Sequence, residues 1–462
     1  MRLITLFFFL SVFYVGGQVK NVQLLANWQD STLVSNSSHV RYSGCWAFVY
    51  NQEEYAVLGT TEGAAFFNIS NENKLVFIDE VQGAYSASQA ITREYKTYLN
   101  YAYAIGDEGS SSLQIIDYSF LPDSVVLTAE IQDDRVGKAH TIYIDTANAL
   151  LYLCSVTPNV DGQDGSLIPL RVFSLADPLS PSLLWEGFDD LNEVHDIEVR
   201  DQIAILNCGF DGIRIYDFSN PIAPVYLSNL EFYQEQGYNH QGSLSPDKKT
   251  YVFADETPGT RLKQCDVSDQ YQLQVQHVFG AENIPYDKTP HNIYITNNLA
   301  YVAYYNDGLR IYDLRTDPPA EIASYDTHND LQGNTFSMWG AWGIYTALPS
   351  ERILVSDRIS GLYLFDFDRE LFESVPSQQE ALLYPNPSFE GQEIYIRLPE
   401  SIKTPFQIRV MDAKGALIKR FSIENQSYCK LSIDLSSGLY LVQTIFFDGI
   451  EEVVKTEKLV IE

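Results

Sequence analysis

Apolar and polar residues alternate in short runs along most of the chain, and the runs recur. The plainest copies are DGIRIYD from Asp211 and DGLRIYD from Asp307. Related runs start at Phe66 (FFNIS), Leu113 (LQIIDYS), Leu170 (LRVFSLA), Leu262 (LKQCDVS) and Leu362 (LYLFDFD), which makes seven. A period of two is that of a half-buried strand. Several runs follow an acidic residue and Gly, as at Glu62-Gly63, Glu108-Gly109, Asp164-Gly165, Asp211-Gly212 and Asp307-Gly308. Gly accepts the positive φ of a tight hairpin, so these pairs predict turns. A further strand-like run precedes each turn, for example YAVLGT at Tyr55 and YVAYYN at Tyr301. Pro-marked turns at Asp177, Asn220 and Asp317 lead into a fourth. Four strands per unit, in seven units of 40 to 55 residues, predict an all-β chain with a seven-bladed β-propeller.

The last unit, about Trp339 to Asp368, lacks a fourth strand, while VQLLANW at Val22 is a strand with no unit before it. Pairing the two would complete the last blade and latch the ring, leaving only short protected edges.

Four of the seven histidines fall in the strand that opens a unit, in KAHTIYI, EVHDIEV, YNHQGSL and TPHNIYI. Aligned across the units, this position reads Trp46, Gln89, His140, His195, His240, His291 and Trp342. The first strand of a propeller blade lines the central channel, so these residues should form one ring near the axis. One reading is structural: each His hydrogen-bonds across neighbouring strands, with Thr141, Asp196 and Asn292 as partners. Another is a metal site of His140, His195, His240 and His291, because neutral imidazole suits Zn, Fe, Ni and Cu. A third is an organic or glycan ligand stacked on Trp46 and Trp342. Metal-bound imidazoles usually have second-shell partners, and Glu193 and Asp196 stand near His195 alone. No GxSxG, HExxH, P-loop or dinucleotide motif points to an enzyme.

Charge narrows the partners. Net charge is −31, and the stretch from Leu382 onward, with nine basic and eleven acidic residues, carries only −2 of it. Such a surface repels nucleic acid and anionic membranes and could attract Ca²⁺, although no acidic turn has the spacing of a calcium loop. Residues 1–17 read as a signal peptide: Met1-Arg2, an apolar run from Leu3 to Val15, then Gly16-Gly17. No later run of 18 apolar residues predicts a transmembrane segment. Cys45, Cys154, Cys208, Cys265 and Cys429 show no framework spacing, with one bridge, Cys154 to Cys208, open as an option.

The repeat gives way to a polar linker over 369–383. Beyond it, residues 384–462 alternate in short strands with a period near 12 residues, predicting a small Ig-like β-sandwich. YPNP (Tyr384, Pro385, Asn386, Pro387), MDAKGALI, LSSGLYLVQ (with Gly438 and Tyr440) and the final KLVIE closely resemble the C-terminal sorting domain of type IX secretion substrates. The resemblance implies passage through the Sec route, recognition by the type IX machinery and its sortase, and delivery to the cell surface of a Gram-negative bacterium. Residues 18–368 resemble the choice-of-anchor B family of LVIVD-repeat propellers, on TTEGAAFFNIS, GDEGSSSLQIIDYSFLPDS, GFDGIRIYDFSNPIAPV, GYNHQGSLSPD and YNDGLRIYDL. That family implies location more than chemistry. The combined expectation is an exported surface module that binds a protein or glycan. The alternative is a metal-dependent enzyme with its four histidines in the channel.

Overall fold

The computed structural model describes residues 19–71, 73–268, 271–280, 288–327, 338–367, 369, 382–384, 388–389, 394–397, 406–423, 428–431, 434–447 and 452–461. The expected signal peptide, Pro385, Asn386 and Pro387 lie outside the described residues, as does most of the expected linker. Among the described residues every regular element is a strand. Among these residues no helix is long and apolar enough to cross a membrane.

Among the described residues seven antiparallel sheets of four or five strands follow one another along the chain to Asp366, with a two-stranded hairpin, Asn159–Val160 and Gln163–Asp164, inserted in the third. Their first strands are Tyr42–Tyr50, Arg93–Tyr98, Thr141–Asp145, Asp196–Arg200, Asn239–Leu244, Ile293–Thr296 and Ala341–Tyr345. Strand order within a sheet follows the sequence, as hairpin-connected strands should. The sixth and seventh sheets each add a strand from the N-terminal end; in the seventh it completes a sheet of four. Its outer strand is Gln23–Trp28, which pairs antiparallel with Gly361–Asp366, Gln23 opposite Asp366 and Trp28 opposite Leu362. Val19–Lys20 adds a fifth strand to the sixth sheet, against Ala320–Tyr325.

Adjacent sheets pack face to face, and each contact holds its own apolar core. Leu113 and Ile115 meet Ile142 and Leu151 between the second and third sheets. Ile213 and Ile215 meet Leu244 and Phe253 between the fourth and fifth. Leu354 and Leu364 of the seventh meet Leu58 and Phe67 of the first, which closes the circle. Each fully buried side chain of this kind contributes roughly 1.5–3 kcal/mol. Polar contacts reinforce the seam: Glu54 accepts from the Ser350 amide and hydroxyl, both at 2.7 Å, and pairs with Arg352 at 2.5 Å.

Three of the five acidic-Gly pairs take the expected positive φ, at Gly109, Gly212 and Gly308, while Gly63 and Gly165 do not. Gly212 and Gly308 have φ of +76° and +73°, and a Cβ there would lie 2.4 Å from Leu230 O and 2.1 Å from Tyr325 O. Cys45, Cys154, Cys208 and Cys265 are buried free thiols, so Cys154 and Cys208 are not bridged.

Toward the C-terminus two smaller sheets share one core. Leu382–Tyr384, Ile394–Arg397 and Tyr428–Leu431 form the first, and Phe406–Asp412 is central in the second. Ile396 and Leu431 pack there with Ile408, Val410, Val442 and Leu459. Leu382 and Leu383, read from sequence as linker, are thus part of a strand.

Candidate functional site

The four histidines form a continuous stack at one end of the axis. Ring centroids are 4.2 Å apart for His140–His195, His195–His240 and His240–His291, and Trp342 extends the row at 4.7 Å from His291. Ladder register explains the alignment: His140, His195 and His240 each immediately precede a residue paired near the end of the second strand, Thr141 with Cys154, Asp196 with Asn207 and Gln241 with Ala254. By the same register the equivalent positions in the first two sheets are Ser43 and Arg93, and the Arg93 amide donates to Ser43 Oγ at 3.1 Å. Trp46 lies further along its strand, under the Lys96 ammonium at 3.9 Å, and Gln89 sits exposed before the second sheet. Neither joins the stack. The first two sheets are the most divergent copies, and the second has no aromatic or His at the aligned point to mark the register.

The imidazoles differ in what they touch. His195 Nδ1 donates to the His240 carbonyl at 2.9 Å, and His291 Nδ1 to the Trp342 carbonyl at 2.7 Å. A protonated Nδ1 leaves Nε2 as a lone pair. His140 Nδ1 donates instead to Asp107 at 2.5 Å. Burial pulls the His140 imidazole toward neutrality, but the Asp107 carboxylate outweighs it and the group ends above its ordinary value. Burial holds His195 and His291 well below theirs, and burial with the charge of His140 takes His240 down to about 3.

A second tier sits just beyond the stack. Asp107, Glu256, Tyr305 and Arg358 each follow the second strand of their sheet at the same offset from the ladder. Tyr305 donates its hydroxyl to Glu256. The Glu256 carboxylate stands 3.8 Å from His240 Nε2 and 3.9 Å from His291 Nε2. Burial raises its pKa. Sequence inspection missed Glu256 because its position holds a different residue in every unit. The available signal was its fixed distance from the strand.

Behind the stack the axis opens into a cavity of about 300 Å³ to which all seven first strands contribute. Its walls carry Glu94, Lys96, Asp196, Glu198 and Arg200. Burial raises the carboxyls of Glu94 and Glu198 to about 7 and of Asp196 to about 6, and it lowers Lys96. Arg200 pairs with Glu198 at 2.9 Å.

At the other end of the chain, Gly438 opens the strand Gly438–Phe447, and Tyr440 donates its hydroxyl to the Ser436 carbonyl at 2.8 Å. Residues 382–462 match the family of the secretion system C-terminal sorting domain. This segment is a sorting domain. It implies export of the protein and an interaction with the type IX secretion machinery. No curated protein matches the chain. Among solved structures, the WD40 β-propeller domain of Doa1 is similar with a TM-score of 0.49 at 9% identity, covering 77% of this chain and 100% of that one. The computationally designed Ika8 protein is similar with a TM-score of 0.44 at 9% identity, covering 74% and 99%. Among the described residues the architecture ahead of the sorting domain is all-β.

Proposed function

We propose that the seven sheets are the blades of a seven-bladed propeller of the choice-of-anchor B type. The two C-terminal sheets form a sandwich read by the type IX machinery and its sortase. The mature ring works at the outer cell surface of a Gram-negative bacterium as a binding module for a protein or glycan. One observation carries this reading: an axial cavity walled by every first strand and lined with ionisable side chains. A purely architectural axis would fill with apolar groups, because burying charge is costly unless a partner compensates it. The cavity accepts one polar group, such as a sugar residue or a peptide side chain. Stacking on the two Trp rings is not the route, since Lys96 covers Trp46 and His291 covers Trp342.

Binding of the full chain to arrays of surface glycans and peptides, followed by calorimetry on the hits, tests the reading. Ser243→Trp fills the cavity and Lys96→Met removes one of its two cationic side chains, leaving Arg200. Loss of affinity by tenfold or more in both, with melting unchanged, supports an axial site. Full affinity in Lys96→Met moves the ligand off the axis and overturns it.

A further inference from the structure

The geometry points to a transition-metal site formed by His195, His240 and Glu256 at the mouth of the axis. One ligand atom from each of these three residues lies within 4.8 Å of the others. Hydrogen bonding across the ring accounts for two of the stacked imidazoles: His195 and His291 each pin the carbonyl of the next ring position. It does not account for His240. That side chain is 5% exposed, yet neither of its ring nitrogens is hydrogen-bonded among the described residues. Its Nδ1 is buried without a partner, and its Nε2 faces a carboxylate oxygen at 3.8 Å, beyond hydrogen-bond reach. Nε2 is therefore the ring atom free to take a ligand beside the carboxylate.

The surrounding bonds fit a metal. The His195 Nδ1–H bond to a backbone carbonyl is the outer-shell contact that orients a ligating imidazole and presents its Nε2. The Tyr305 hydroxyl does the same for Glu256. Two imidazoles and one carboxylate are the donor set of a zinc-type ion with an open fourth position. They suit Zn²⁺, Co²⁺, Ni²⁺ or Fe²⁺ rather than Ca²⁺, which takes oxygen ligands. His291, with Nε2 at 3.9 Å from Glu256, is within reach of the same carboxylate. His140 is committed to Asp107 and lies outside the set.

The test uses untagged full-length protein stripped of metal and titrated with Co²⁺, followed by calorimetry and the visible absorption of tetrahedral Co²⁺. One ion per chain is expected, with affinity falling tenfold or more in His240→Asn and in Glu256→Gln. His277→Ala, on an outer strand, should leave binding unchanged. Absence of stoichiometric binding overturns the site, as does binding that survives either ligand substitution or is weakened equally by His277→Ala. Thermal melting accompanies each variant. If His240→Asn does not fold, Glu256→Gln decides alone, because its residue lies just past the end of a strand and its side chain keeps 16% exposure. The outcome is independent of whether the axial cavity binds a protein or glycan.

Discussion

Lys263→Met should be among the most destabilising single changes in the ring. The Lys263 ammonium and the Asp255 carboxylate are 2.5 Å apart and both side chains are 0% exposed. At an effective dielectric of about 20 their attraction is about 7 kcal/mol, most of it offset by desolvation. Removing one partner is different, because it leaves a bare buried charge and costs about 3–5 kcal/mol. The carboxylate is also held by the Tyr233 hydroxyl at 2.8 Å, which receives Asn239 Nδ2 at 3.3 Å. Asn239 in turn accepts from Asn207, which accepts from Tyr251. Asp255 and Asn239 immediately precede Glu256 and His240, so this network anchors the backbone on both sides of the candidate metal site. Urea denaturation at neutral pH measures the effect, with Tyr233→Phe, expected to cost about 1–2 kcal/mol, as the milder comparison. In the double variant Lys263→Met, Asp255→Asn most of the loss should be recovered, since no bare charge remains. A loss below about 1 kcal/mol for Lys263→Met, or simple additivity in the double variant, would refute the argument.

The His140–Asp107 pair should make stability depend on pH. His140 is raised above its usual 6.5, so its contribution is full below that pH and is lost as pH climbs through the folded value. Asp107 is lowered below its usual 3.8, so its share is present above that pH and lost as pH falls through the folded value. Stability gained from the pair should therefore peak between pH 3.8 and 6.5, with Glu94 and Glu256 also facing His140. Asp107→Asn should flatten that feature in melts taken across pH, at a cost of about 1.5–3 kcal/mol at its maximum. Deleting residues 19–28 should uncover the edge of Gly361–Asp366 and give oligomers by light scattering, where the intact chain runs as a discrete species. Gly308→Val should cost about 2–4 kcal/mol in denaturation, because strain at φ +73° adds to a Cβ clash with Tyr325 O. Removing 382–462 should stop delivery to the cell surface, read by surface proteolysis of whole cells.

Much of the ring was legible because each repeat writes its strand period and its turn residues side by side. The latch was legible for the same reason, as Gln23–Trp28 is a strand without a unit. Register was legible only where His or an apolar neighbour recurs at a constant offset. It failed in the first two units, where Ser43 and Arg93 occupy the positions assigned to Trp46 and Gln89. Trp46 and Gln89 stand three and four residues away from those positions, in units where no His marks the register. Glu256 was illegible for another reason. A residue that acts by its neighbours in space, two histidines from different sheets and a Tyr from a third turn, leaves no local motif.

The pairing of Gln23–Trp28 with Gly361–Asp366 also sets an order of events. A chain threaded through a membrane from its N-terminus presents its latch strand first and that strand's partner more than 330 residues later. Until the partner arrives the latch has no place to pair, and the seam between the seventh and first sheets stays open. The sorting domain begins at residue 382, after the closing strand, which ends at Asp366. In such a chain the sorting domain emerges only after every strand needed for closure, so the address becomes readable once the cargo is able to fold.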